Sequence, residues 1–122
     1  MKLTNNTIYT LASTCPQEFA DFKSYIPAKA NFAIQKNFST LAAAAQGIDE
    51  ARLGVAKHYG ELDESGERYT FSADVMETVS KELTELFEIE QDLDIRTIRI
   101  EDLGSAEFTP AQMQAIMFMI ED

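Results

Sequence analysis

Few side chains in this 122-residue chain are of types that do chemistry, and their spacing limits what they can do. His58 is the single histidine. It falls at the end of a long helical pattern, where the C-terminal dipole suits a basic side chain. No motif supplies it with a nucleophile or carboxylate, so a structural role accounts for it. Cys15 is the single cysteine, so an internal disulfide is excluded. It sits at a predicted helix start, where a thiol pKa could fall, but neither a C-x-x-C pair nor a histidine signature accompanies it. The remaining candidates are acids. Glu88, Glu90, Asp92 and Asp94 alternate through one segment, with Glu101 and Asp102 beyond it. Carboxylates on facing elements could hold a divalent cation or form an acid/base pair. The turn Asp63-Glu64-Ser65-Gly66 superficially resembles a calcium loop. It lacks the D-x-[DN]-x-[DN]-G spacing and the glutamate at loop position 12.

Residues suited to contact are more plentiful. Gly47 and Gly54 are seven apart on one face of the long helical pattern, which suggests close passage of another backbone. Met113, Met117, Phe118 and Met119 lie in a terminal segment with little polar surface. A helix apolar on most sides belongs in a core or under a partner. The periodicity puts Met113, Ile116, Met117 and Ile120 on one face, leaving Phe118 and Met119 for a partner. The exposed acids Glu88, Glu90, Asp92 and Asp94 complete the candidate interaction residues. No catalytic, cofactor-binding or metal-binding residue is assigned, and no cofactor is expected.

The elements that must position these groups are legible from periodicity and punctuation. Thr7 to Ala12 suits a short strand, and Thr14-Cys15-Pro16 a helix start with Phe19 and Phe22 on one face. Pro27 interrupts that helix and can restart another. From Ala28 to Tyr59, Ile34, Phe38, Leu41, Ala45, Ile48, Arg52, Val55 and Tyr59 recur at spacings of four and three. That is the seam of a long amphipathic helix, broken only by Arg52 and stopped by Gly60. A polar turn with Gly66 at positive φ leads to a strand at Arg68–Phe71. Ser72 then caps a helix with Val75, Val79, Leu83, Leu86 and Phe87 as its apolar stripe. Leu93 to Ile100 alternates as a strand whose phase slips at Thr97, and Thr109-Pro110-Ala111-Gln112 is a capping box. The fold class that follows is α+β. A long central helix and two or three shorter helices pack on a small, mostly antiparallel sheet of about three short strands, in one domain over residues 1–122.

Composition narrows the function classes. Hydrophobic residues at 45% and charged residues at 25% are a globular mixture, not a disordered one. No signal-peptide pattern opens the chain, and the longest apolar run, Met117 to Ile120, is far too short to span a membrane. A reducing, cytoplasmic setting is the expectation. The net charge of −11 is uneven. Residues 1–60 carry six Lys/Arg against four Asp/Glu, and residues 61–122 carry four against seventeen. Such a field repels phosphate backbones and anionic membranes, disfavouring direct binding to either, and it steers basic partners to the second half.

The stretch KANFAIQKNFSTLAAAAQGIDEARLGVAKHYGELDESGERYTF, followed by KELTELFEIEQDLDI, resembles an uncharacterised family of small phage and prophage proteins of Gram-positive bacteria. The shared features are a long helix opening with a basic residue (Lys29), a tyrosine (Tyr59), the acidic turn Asp63 to Gly66, and a helix-to-strand passage from Glu82 to Ile95. The resemblance implies a phage protein acting in the cytoplasm of an infected bacterium, and it carries no active-site residue to transfer. The expected function is a non-enzymatic accessory protein that self-associates as a homo-oligomer and binds a phage or host protein. One alternative is a counter-defence inhibitor whose acidic surface imitates nucleic acid. A second is a divalent-metal protein or enzyme using the carboxylates from Glu88 to Asp102. A third is a small-ligand binder with a pocket between sheet and long helix.

Overall fold

A computed structural model describes residues 1–121 of the chain. The order is β1 (Lys2–Thr4), α1 (Asn5–Phe19), α2 (Ala28–Tyr59), β2 (Glu61–Leu62), β3 (Tyr69–Thr70) and α3 (Ala73–Glu88). Then follow β4 (Glu90–Asp92), β5 (Ile98–Arg99), α4 (Pro110–Ile116) and β6 (Ile120–Glu121). Short 3₁₀ turns occupy Ile100–Leu103 and Met117–Met119. The fold is α+β, with α2 as its long element and, among the described residues, three separate two-stranded pairs. The pairs β1–β4 and β2–β3 are antiparallel, and β5–β6 is parallel.

The long helix follows its seam. Ile34, Leu41 and Ile48 are buried and Phe38, Ala45, Val55 and Tyr59 partly so, whereas Arg52 is exposed and ion-paired to Asp49 at 2.8 Å. At about 1.5 Å per residue its 32 residues extend roughly 48 Å. Pro27 stands at its N-cap, and Gly60 ends it in extended backbone, φ −101°. Gly60 is needed for room, since an added Cβ would come within 2.8 Å of the Ala56 carbonyl oxygen and 2.9 Å of the Phe71 ring.

The segment Thr7 to Ala12 is helical, not a strand. Thr4 caps α1, its Oγ1 accepting from the Thr7 amide at 3.2 Å. The stripe Ile8, Leu11, Cys15 and Phe19 then packs on α2, which outweighs the β preference of Thr7, Ile8, Tyr9 and Thr10. Pro16 lies inside the last turns of α1 and not at a helix start, so only the hydrogen bond to the Ala12 carbonyl is lost. Phe19 and Phe22 still meet, ring centroids 5.2 Å apart, although the helix ends between them.

Leu93 to Ile100 is not one strand. Pairing begins earlier, with β4 against β1 and Leu93 against Met1, lapses over 94–97, and resumes for two residues in β5. The lapse is the work of Asn37 on α2, which is fully buried. Its Nδ2 donates to the Arg96 carbonyl and its Oδ1 accepts from the Arg96 amide, both at 2.8 Å. A side chain thus replaces a neighbouring strand, satisfying both backbone groups. Asn5 does similar work at the other end of the molecule. Its Nδ2 reaches the Leu86 carbonyl at 2.8 Å, and Gln91 Nε2 donates to its Oδ1 at 2.7 Å, so the last turn of α3 is capped from α1.

Two buried clusters hold the chain together. One gathers Ile26, Ala30, Ala33, Ile34, Ile98, Leu103, Ile116 and Met119 around the first half of α2. The other joins Ile8, Cys15, Leu41, Ile48 and Ala115. Phe19, Phe38 and Phe118 pack against both. The capping box of α4 is present, with Thr109 Oγ1 accepting from the Gln112 amide at 3.1 Å and Gln112 Oε1 accepting from the Thr109 amide at 2.9 Å.

Candidate interaction surface

The terminal segment departs from the spacing argument. After Ile116 the chain tightens into a 3₁₀ turn, which advances about 120° per residue where an α-helix advances about 100°. Met119 is therefore turned into the first cluster and fully buried, while Met117 is carried outward to 50% exposure. Met113 and Phe118 are partly buried. Met119 accordingly offers no accessible contact surface, and Phe118 bridges the two clusters.

Gly47 and Gly54 lie on the exposed face of α2, together with Ala43 and Ala51. Among the described residues nothing lies within 4 Å of a Cβ built on either glycine, so no described backbone passes close. The seam face turns toward α1 and α3, leaving the glycine face outward.

Glu88, Glu90, Asp92 and Asp94 are all exposed, strung from the end of α3 across β4. Asp92 accepts from the Met1 amino group at 2.8 Å, which holds its pKa below the usual carboxylate range. Among the described residues, no three His, Cys, Asp or Glu side chains converge as metal ligands. His58 is exposed and meets Tyr59 edge-on at 4.6 Å. Cys15 belongs to the end of α1, not to a helix start, and is fully buried, its thiol donating to the Ala115 carbonyl at 3.3 Å. Burial pushes that thiol up to about 11, the opposite of activation.

A further apolar surface lies at the N-terminal end of α2. Phe32 and Ile100 are each 59% exposed, and Met117 adds to them. Two grooves meet here and share Glu101 as a wall. The first, about 440 Å³, is lined by Phe32, Ala33 and Ile98 with Lys29, Arg96 and Asp102 around it. The second runs between Ile100, Met117 and Ile120. The Arg96 guanidinium carbon sits 5.4 Å from the Phe32 ring centre.

Polar ties fix this floor. Arg99 Nε donates to Glu121 Oε1 at 3.2 Å, and Thr97 Oγ1 donates to Glu121 Oε2 at 2.9 Å. Those bonds, Thr97 foremost, lower the Glu121 pKa. The Arg99 amide reaches Asp102 Oδ2 at 3.0 Å. The Asn37 clamp on Arg96 decides where this segment runs, and so where the grooves form. Phe32 had a signal in the sequence, as an aromatic two residues before the seam begins. Ile100 had none, since alternation put it in a strand.

Comparison with known proteins brings up no matching family model, no similar curated protein and no similar solved structure.

Proposed function

We propose that this protein acts without catalysis, as an accessory protein that binds another protein through the shelf of Phe32, Ile100 and Met117. The observation that carries the reading is the exposure of these three large apolar side chains around two joined grooves. Fully burying one such side chain is worth about 1.5–3 kcal/mol, so covering what remains open on three contributes about 3 kcal/mol. That raises affinity about a hundredfold for an interface whose rim is polar, as Lys29, Arg96, Asp102 and Glu121 make it here. Self-association belongs to the same proposal. The outward face of Ala43, Gly47, Ala51 and Gly54 lets a second α2 approach closely, against a charge of −11 per chain that salt would screen. The setting suggested by the sequence resemblance, a phage protein in an infected cell, supplies a partner of phage or host origin. Among the described residues no helix is long and apolar enough to cross a membrane.

A photo-crosslinking residue at position 32, compared with one at position 58, tests the shelf. Position 32 should yield one defined adduct, with a second copy or another protein, that Met117→Ser weakens, whereas position 58 should not. Equal labelling at both positions, or none at either, would refute the reading. Should capture depend on Glu88, Glu90, Asp92 and Asp94 and vanish in moderate salt, the acidic-mimic reading takes its place.

A further inference from the structure

About 24 residues along α2 from Phe32, or roughly 36 Å, the chain holds a second apolar opening that neither core cluster fills. It lies between the last two turns of α2 and the middle of α3, with the β2–β3 hairpin across it. Leu53, Val55, Ala56, Phe71, Val79 and Leu83 supply its apolar lining, and Arg52, Glu67, Arg68 and Tyr69 complete it. Its volume is about 450 Å³, within the range of small-molecule sites. Val79 is buried here yet belongs to neither cluster.

Charge distinguishes the cleft from the rest of the surface. The chain has 21 acids against 10 Lys/Arg, but the cleft is lined by two arginines and one glutamate. Arg52 spends its Nε and one Nη on Asp49, at 3.1 and 2.8 Å, with Tyr9 also close by. Arg68 makes no ion pair among the described residues. Glu82, whose proximity raises the Tyr59 pKa, has one carboxylate oxygen buried without a hydrogen-bond partner among the described residues, and it is not part of the lining. The cover is light: the hairpin strands pair with each other over two residues each, and Phe71 packs against Gly60 at its base.

We infer that this cleft binds a small amphiphilic anion, its apolar body between Val55, Phe71, Val79 and Leu83 and its carboxylate or phosphate at Arg52 and Arg68. Guanidinium groups suit such a headgroup because they present several donors in one plane. This inference is independent of the shelf and of any protein partner.

The test uses the full chain, uniformly labelled with nitrogen-15, titrated with octanoate, octanol and octylammonium, three probes alike in body and different in head charge. Octanoate should move the amide resonances of residues 52–56, 67–71 and 79–83 and bind tightest, octylammonium weakest. Arg68→Gln, an exposed change that leaves the fold alone, should weaken octanoate roughly three- to fivefold and leave octanol unchanged. Ala56→Leu should fill the cleft and abolish all binding. Equal affinity for the three probes, indifference to Arg68→Gln, or shifts confined to other residues would each overturn the inference.

Discussion

Replacing Asn37 by leucine tests the central claim about how this chain is assembled. The side chain is fully buried, and its two 2.8 Å hydrogen bonds are the only backbone pairing Arg96 receives from α2. Leucine keeps the branching and the number of side-chain heavy atoms, and removes both bonds together with the 3.3 Å contact to Met119 Sδ. Each bond is worth about 1 kcal/mol net, and leaving partly buried backbone groups unsatisfied adds about 1–2 kcal/mol more. Because Arg96 is otherwise exposed, water recovers part of that second cost. The expected loss is therefore about 3 kcal/mol, or a melting temperature lower by roughly 10 °C for a domain of this size. Urea unfolding followed by circular dichroism measures the first quantity, and hydrogen exchange at the Arg96 amide localises it. Exchange there should accelerate well before the α2 amides are affected, because the clamp opens without unfolding the helix. A variant within about 0.5 kcal/mol of the parent, with Arg96 still protected, would refute the reasoning. The segment 94–97 would then be held by Leu93, Ile95 and Ile98 alone.

Two further predictions follow from the described geometry. Gly54→Ala should stabilise the monomer by about 1 kcal/mol, since the position is mid-helix, exposed and without a neighbour within 4 Å, and chemical denaturation at low protein concentration reads it directly. Gly54→Leu should also fold, but should lower native mass in light scattering if copies meet along this face; destabilisation by both variants would show that the face is covered. For Cys15 the sign of the pH effect is fixed by its raised pKa. Below pH 9 the thiol is protonated in both folded and unfolded chains. Between its ordinary 9.0 and about 11, only the unfolded chain releases the proton, so stability falls as pH rises. The advantage of the parent over Cys15→Ala should shrink by about 2–3 kcal/mol across that interval, and a pH-independent difference would place the thiol in contact with water.

Much of the framework was legible in the amino-acid order because it depends on near neighbours. The α2 helix runs from Ala28 to Tyr59 as its seam and its Pro27 and Gly60 boundaries indicate. The Thr109 capping box and the Gly66 turn at φ +74° are likewise local matters of dihedral preference and hydrogen bonding within a few residues. A helix does follow Ser72, although the Ser72 hydroxyl donates to Asp74 and does not cap it. The α+β class follows from those pieces. Where the spacing misled, a distant residue decided. Thr7 to Ala12 has the side chains of a strand, but α2 offers a surface for Ile8 and Cys15, and the Thr4 cap makes the helix available. Leu93 to Ile100 alternates as a strand should, yet Asn37, 59 positions away from Arg96, takes over its backbone groups. The interaction residues divide the same way. Glu88, Glu90, Asp92 and Asp94 are exposed, as acidic side chains usually are. Met117 and Met119 share a chemistry, and only the 3₁₀ turn between Ile116 and Ile120 determines which one faces out. The shelf and the arginine-lined cleft lie further still from sequence, because each is a space between elements that are distant in the chain.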